Sequence, residues 1–229
     1  MRISIHLESI PFHETLRYLM WHGETVDESL RVQILNAHKM ILDIIEPCAV
    51  YDCFQLEERS RFGGTTFSAQ GRAAGELLCG CRQALLFAAT LGAQSERLLL
   101  RMQATSHAQA LLIDAALSAA IEKVCDQACA RIQAQLFAQN LYLTERFSPG
   151  YADMPIAQNK DIINVLDAQR QIGLSITPSG LMLPRKSVCA VIGVKGEPTE
   201  RIKDRCARCA MKNTCSMKKN GACHSAEKE

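Results

Sequence analysis

Ser106 to Leu136 reads SHAQALLIDAALSAAIEKVCDQACARIQAQL, a run with neither Gly nor Pro. Ile113, Leu117, Ile121, Val124, Ala128, Ile132 and Leu136 recur at intervals of three and four, which puts them on one face of a helix. Thr105 or Ser106 stands where a side-chain oxygen can cap its first turn. A stripe this regular is a core face, not a cofactor box. Glu122 and Asp126 read most simply as solvent-facing residues of that helix, with Glu122 close enough to the stripe to stand as a site candidate.

Outward from this helix the pattern alternates between helical and extended. Leu98, Leu99 and Met102 open an earlier helix within the Gly- and Pro-free span Ala93 to Ser148. Pro47 to Leu56 and Gln83 to Leu91 are β-prone or apolar runs, and Gly63, Gly64, Gly71, Gly75 and Gly80 between them predict loops and turns. Phe12, Leu16, Leu19 and Met20 precede a break at Gly23, after which Val26, Leu30, Ile34, His38, Ile41 and Ile45 resume helical spacing. Asp27 and Glu28 complement the dipole at the start of that second helix. On the C-terminal side, Asn159 to Ile172 is helical through Ile162, Ile163, Leu166 and Gln169. Leu174 to Ile176, Leu181 to Leu183 and Val188 to Val194 read as strands, with Pro184 to Ser187 as a turn. No repeat of 20 to 50 residues is visible.

The 229 residues are 48% hydrophobic and 22% charged, enough apolar material for a real core. Lys plus Arg number 26 against 24 Asp plus Glu, so no net field argues for nucleic acid or an anionic membrane. The longest uncharged run, Gln171 to Pro184, is broken by Gly and Pro and is too short to span a bilayer. Met1 to Ile10 lacks the apolar core of a secretory signal. A soluble, cytoplasmic chain is expected.

Cysteine is the outlier. Eleven is an odd number, so a fully paired disulfide framework is impossible. Cys48, Cys53, Cys79, Cys81, Cys125, Cys129 and Cys189 are scattered and read as small buried hydrophobes in a reducing compartment. The other four form Cys206-x2-Cys209-x5-Cys215-x7-Cys223, on a segment with few large apolar side chains. Four thiolates at this density suit an iron–sulfur cluster, with zinc or a metal-free tail as the alternatives. His224 beside Cys223 is a further ligand candidate. The expected division is a body over residues 1–195 and a Cys-rich tail over 196–229.

One loop carries chemistry. In Arg146-Phe-Ser-Pro-Gly-Tyr151, Pro fixes a dihedral and Gly permits positive φ, so the chain bends sharply and can expose its amides. Arg supplies a planar fork for a carboxylate or phosphate, and Tyr a ring with a hydroxyl. A small anionic ligand with a flat ring fits such a loop; on spacing alone a plain turn is the better reading. Other signatures fail. There is no phosphate-binding Walker loop, dinucleotide fingerprint, nucleophile elbow or cobalamin-ligating His motif, and Gly63-Gly64-Thr65-Thr66 lacks the Lys a phosphate cradle needs. His13, His22, His38 and His107 are isolated.

These pieces together resemble the activation domain of cobalamin-dependent methionine synthase in a stand-alone form. The resembling stretches are Glu14-Thr-Leu-Arg-Tyr18, Ala89-Thr-Leu-Gly92, Leu111 to Glu122, Arg146 to Tyr151, and Asp161 to Val194 with Leu174-Ser-Ile-Thr-Pro-Ser-Gly-Leu-Met-Leu-Pro184. They cover roughly residues 10–194, and the Arg-x-x-Pro-Gly-Tyr block is the most specific. The resemblance implies an α+β fold with helices packed around a twisted antiparallel sheet. It implies a domain that binds S-adenosylmethionine and caps the cobalamin of a corrinoid partner, so that one-electron reduction is trapped by methyl transfer. By the same resemblance Arg146 holds the methionyl carboxylate, the backbone of Ser148, Pro149 and Gly150 borders the adenosyl group, and Tyr151 binds toward the reacting face as the catalytic residue. A corrinoid-binding methionine synthase or related methyltransferase is the implied partner, with a flavodoxin- or ferredoxin-like electron donor. Cys206, Cys209, Cys215 and Cys223 then suit an electron relay. The alternative is a non-catalytic module that binds a corrinoid protein or transfers electrons without using S-adenosylmethionine.

Overall fold

The computed structural model describes residues 1–198 other than 22, 24, 58 and 59. Six strands form one antiparallel sheet: β1 (Arg2–Ser4), β2 (Cys48–Glu57), β3 (Arg61–Phe62), β4 (Gln83–Thr90), β5 (Tyr142–Leu143) and β8 (Ser187–Lys195). The path runs β1-β2-β4-β8-β5, with β3 folded back on β2. A separate hairpin joins β6 (Ser175–Ile176) to β7 (Met182–Leu183), and a cis Leu183–Pro184 bond follows it.

β4 is the centre of the sheet, paired over Gln83 to Thr90 with both β2 and β8. Leu85, Phe87 and Ala89 point to one face and Ala84, Leu86 and Ala88 to the other, each set within its own buried cluster. Helices cover both faces, which is why this strand reads as a continuous apolar run and not as an alternation. On the first face lie α1 (Phe12–Tyr18), α2 (Glu28–Leu42), α4 (Ala93–Thr105) and α5 (His107–Phe137). On the second lie α3 (Arg72–Leu78), α6 (Gln158–Val165) and α7 (Ala168–Ile172). The fold is α+β, helices around a curled antiparallel sheet. Among the described residues no helix is long and apolar enough to cross a membrane.

The expected stripe of α5 is buried from Ile113 through Ile132, and Ser106 caps the helix by accepting from Gln109 N at 3.4 Å. Two expectations need correction. The Gly-rich stretch between β3 and β4 holds a helix, α3, with Gly75 inside it and Gly71 at its cap. The helix expected over 159–172 is two, because Asp167 adopts φ 47° between α6 and α7. The cysteines also divide: Cys48, Cys125 and Cys189 are buried, but Cys53 and Cys79 are exposed and Cys81 and Cys129 half-buried.

Candidate functional site

Register at the edge of the sheet aims Arg146. Thr144 N donates to Gly193 O at 2.9 Å, and Phe147 exchanges two bonds with Val191, N to O at 3.0 Å and 2.8 Å. Residues 144–147 therefore run as an irregular extension of β5 along β8. Side chains alternate on such an edge. Phe147 packs with the cluster of α3, α6 and α7, so Arg146 turns to the opposite face, against α5.

There its guanidinium meets one face of α5. Nη2 donates to Glu122 Oε2 at 2.9 Å, and Nη1 to Asp126 Oδ1 at 2.8 Å. Nη1 also lies 3.8 Å from Cys129 Sγ. Positions 122, 126 and 129 are one and nearly two helical turns apart, so all three side chains reach the same cation. Arg146 is 20% exposed, Glu122 36% and Asp126 57%. Glu122, the site candidate of this helix, thus meets Arg146, and Asp126, solvent-facing as expected, pairs with it as well.

Burial works against the charge of Arg146, but the sulfurs of Cys125 and Cys129 and the carboxylate of Asp126 outweigh it and hold the guanidinium above its ordinary pKa. Burial also pushes both thiols up, so they stay protonated near neutral pH and the charges facing Arg146 are the two carboxylates. The site therefore carries one fixed cation and two anions in a partly desolvated place.

Helix α1 packs on α5, the helix that carries both acids. Burial, and then the charge of Glu122, push the Tyr18 phenol up, which puts Tyr18 within the field of the site. The Arg17 guanidinium stacks over the Tyr18 ring, 4.3 Å from its centroid, and its Nε donates to Glu14 at 2.9 Å. Tyr18 and Asp126 are the site residues that the sequence did not single out. The one signal was the block Glu14 to Tyr18, matched as a stretch without a role.

The loop after Arg146 folds as a turn fastened from below. Pro149 is buried, Ser148 half-buried, and Gly150 takes φ +95°, a conformation that disfavours any side chain. Gly150 N donates to Met154 O at 2.9 Å and Tyr151 N to Ser148 O at 3.2 Å. With the Phe147 amide on β8, these bonds use three of the amides that the sequence reading expected the loop to present, and the Ser148 carbonyl accepts one of them. Met154, 2% exposed, anchors the turn, while Tyr151 and Ile156 are exposed at its rim. Asp153 accepts from Arg72 N at 2.6 Å and Ala73 N at 3.1 Å, capping α3 from a distant part of the chain. Those two amides, Ala73 first, hold its carboxyl below the usual range.

A cleft of about 750 Å³ lies elsewhere, at the end of the sheet where Cys79, Arg82, Val194 and Lys195 meet. Among the described residues no group of three or more His, Cys, Asp or Glu is placed to hold a metal ion. Cys206, Cys209, Cys215 and Cys223 lie outside the described residues.

The family described as vitamin B12 dependent methionine synthase, activation domain, matches residues 87–203, a span that includes α5, the Arg146 loop and β8. A crystal structure of the MetH reactivation domain bound to AdoHcy is similar to this chain with a TM-score of 0.57. The two are 16% identical over 84% of this chain and 78% of that one, a likeness of fold. No curated protein sequence matches the chain.

Proposed function

The chain belongs to the activation-domain family of vitamin B12-dependent methionine synthase, and from that premise we propose that it binds S-adenosylmethionine at Arg146 and Glu122. It then serves reductive reactivation of a corrinoid-dependent methionine synthase or related methyltransferase. The observation that carries this reading is the charge pattern: one guanidinium between two carboxylates, half-buried on α5. An α-amino-acid head brings one carboxylate and one ammonium, and the sulfonium adds a further positive charge. Arg146 matches the carboxylate with a planar fork, and Glu122 matches the ammonium. The net charge of the three side chains, one negative, opposes the net charge of the ligand, one positive.

When bound, the ligand supplies a transferable methyl cation equivalent; the protein's own residues position it and keep water from it. Arg146 and Glu122 fix the head, Tyr18 closes one side, and Ser148, Pro149 and Gly150 border the adenosyl group. Tyr151, 65% exposed, stands on the surface from which a partner's corrinoid would approach. The four tail cysteines are the donor set for an iron–sulfur relay, zinc being the alternative metal, and a flavodoxin- or ferredoxin-like protein the electron source.

Calorimetry on the purified chain tests the site. Arg146→Ala should weaken S-adenosylmethionine binding by about 1.5–3 kcal/mol, the value of a charge-assisted hydrogen bond left unmade. Equal affinities would remove Arg146 from the site. Tyr151→Phe should leave binding intact and slow methylation of the corrinoid.

A second reading has its own observation. Both terminal nitrogens of Arg146 are already paired and the amides of Phe147, Gly150 and Tyr151 are spent, as suits a module that binds a corrinoid protein without the methyl donor. A wild-type chain with no affinity for S-adenosylmethionine or S-adenosylhomocysteine would select it.

A further inference from the structure

The two acids that hold Arg146 are not equivalent. Glu122 is the less exposed, 36% against 57% for Asp126, and pairs with Nη2 of Arg146 at 2.9 Å. Asp126 is 57% exposed, and among the described residues its hydrogen-bond partner is Arg146 alone. Its Oδ1 occupies Nη1, one of the two terminal nitrogens that a ligand carboxylate needs for a bidentate grip. Asp126 and the ligand's α-carboxylate are the same chemical group, aimed at the same donor.

We infer that Asp126 is a built-in competitor for the ligand's carboxylate, a gate that must release Arg146 before the amino-acid head can bind. This rests on the reading of Arg146 as the carboxylate anchor. The exchange involves no covalent step: one guanidinium–carboxylate bond replaces another, and Asp126 swings into water. Release is cheap on the side of Asp126, which is already more than half solvated, so that its pairing contributes little to begin with. Glu122 does not yield in the same way, since it is the less exposed of the two and has the ammonium to receive. Its displacement would leave a partly buried carboxylate without its cation.

The consequence is opposite signs for stability and binding. Asp126→Asn removes a contact of the free protein, so the free chain should be no more stable than wild type. The same change removes the competitor, so a ligand with an α-carboxylate should bind more tightly. A merely structural aspartate would move both quantities the same way.

The test uses the full chain and two adenosyl thioethers, S-adenosylhomocysteine with the amino-acid head and 5′-methylthioadenosine without it. Asp126→Asn should tighten S-adenosylhomocysteine binding about two- to fivefold, the yield of an exposed ion pair released, and leave 5′-methylthioadenosine unchanged. Its thermal midpoint without ligand should equal or fall below that of wild type. Glu122→Gln should weaken S-adenosylhomocysteine and spare 5′-methylthioadenosine. Weaker S-adenosylhomocysteine binding in Asp126→Asn would make Asp126 a ligand contact and overturn the gate. An equal shift for both ligands, or unchanged affinity for both, would overturn it as well. Absence of binding by wild type and every variant would instead defeat the reading of Arg146 as an anchor, and the gate with it.

Discussion

His38 shows how a single buried residue sets a pH limit. It is 6% exposed on α2, and its Nε2 lies 2.8 Å from Thr15 Oγ1. The Thr15 hydroxyl gives its one proton to Pro11 O at 3.2 Å, so it accepts from the ring and His38 is the neutral Nε2–H tautomer. The Phe12 ring stands edge-on beside it, offering no second charge. Burial lowers the pKa of His38 from 6.5 to about 4. Between those two values the unfolded chain takes up a proton that the folded chain refuses. Stability from this residue is therefore complete above pH 6.5 and falls as pH drops toward 4, by roughly 2–4 kcal/mol in all. Urea denaturation across this range should show wild type losing that much more than His38→Gln, whose amide can still donate to Thr15; parallel curves would refute it. His38 was legible in the sequence as an isolated histidine at a helical core position, but its neutrality was not, because that depends on Thr15 arriving from another helix. Arg146 is the counterpart. Its fork marked it as a ligand-binding residue and Glu122 stood as a candidate, yet their pairing and that of Asp126 were not legible, because the bond pair between Phe147 and Val191 turns Arg146 toward them.

Among elements, those with a long uninterrupted period were readable and those built by distant capping were not. α5 shows its stripe and its Ser106 cap in the sequence, and β4 its apolar run. α3 has seven residues, too few to show a period, and two of its neighbourhood's glycines look like turn residues. Its start is stabilised by Asp153, eighty positions away, on the turn that follows Arg146. The two glycines have opposite roles, which a pair of substitutions separates. Gly71 sits at φ +95°, and a Cβ there would lie 2.8 Å from Asp153 Oδ1 and 2.9 Å from its carbonyl oxygen. Gly71→Ala should therefore destabilise the protein by about 2–4 kcal/mol, through backbone strain and displacement of the cap. Gly75 lies inside the helix, where a Cβ meets nothing within 4 Å. Gly75→Ala should stabilise by about 0.5–1 kcal/mol by restricting the unfolded chain. Chemical denaturation of both variants checks the pair. Like signs would mean that α3 is not positioned by Asp153, and with it that the Arg146 turn is not fastened from this side.

At the scale of the whole molecule the sheet and its two helical layers close before the tail begins. The last residue of either buried cluster is Val194 on β8, and β8 ends at Lys195. Nothing after that strand contributes a buried hydrophobic residue among those described. The tail holds Cys206, Cys209, Cys215 and Cys223 but few large apolar side chains, a composition that suits a metal site. The proposed reading gives the two parts separate jobs: the body would present the methyl donor, and the tail would pass an electron. A chain ending at residue 195 should therefore keep its unfolding midpoint within about 2 °C, since every buried hydrophobic residue among those described is retained. It should also bind S-adenosylhomocysteine as the full chain does, because Arg146, Glu122 and Tyr18 are all retained. Reduction of the corrinoid partner should slow in the truncated chain alone. The full chain, purified without oxygen, should be brown with visible thiolate-to-iron absorption, and the truncated chain colourless. One equivalent of zinc in a colourless full-length protein would make the tail structural and leave the electron to come directly from the donor. If iron and sulfide reconstitution yields neither colour nor bound metal, the relay falls. If truncation also abolishes ligand binding, the division of labour between body and tail falls with it.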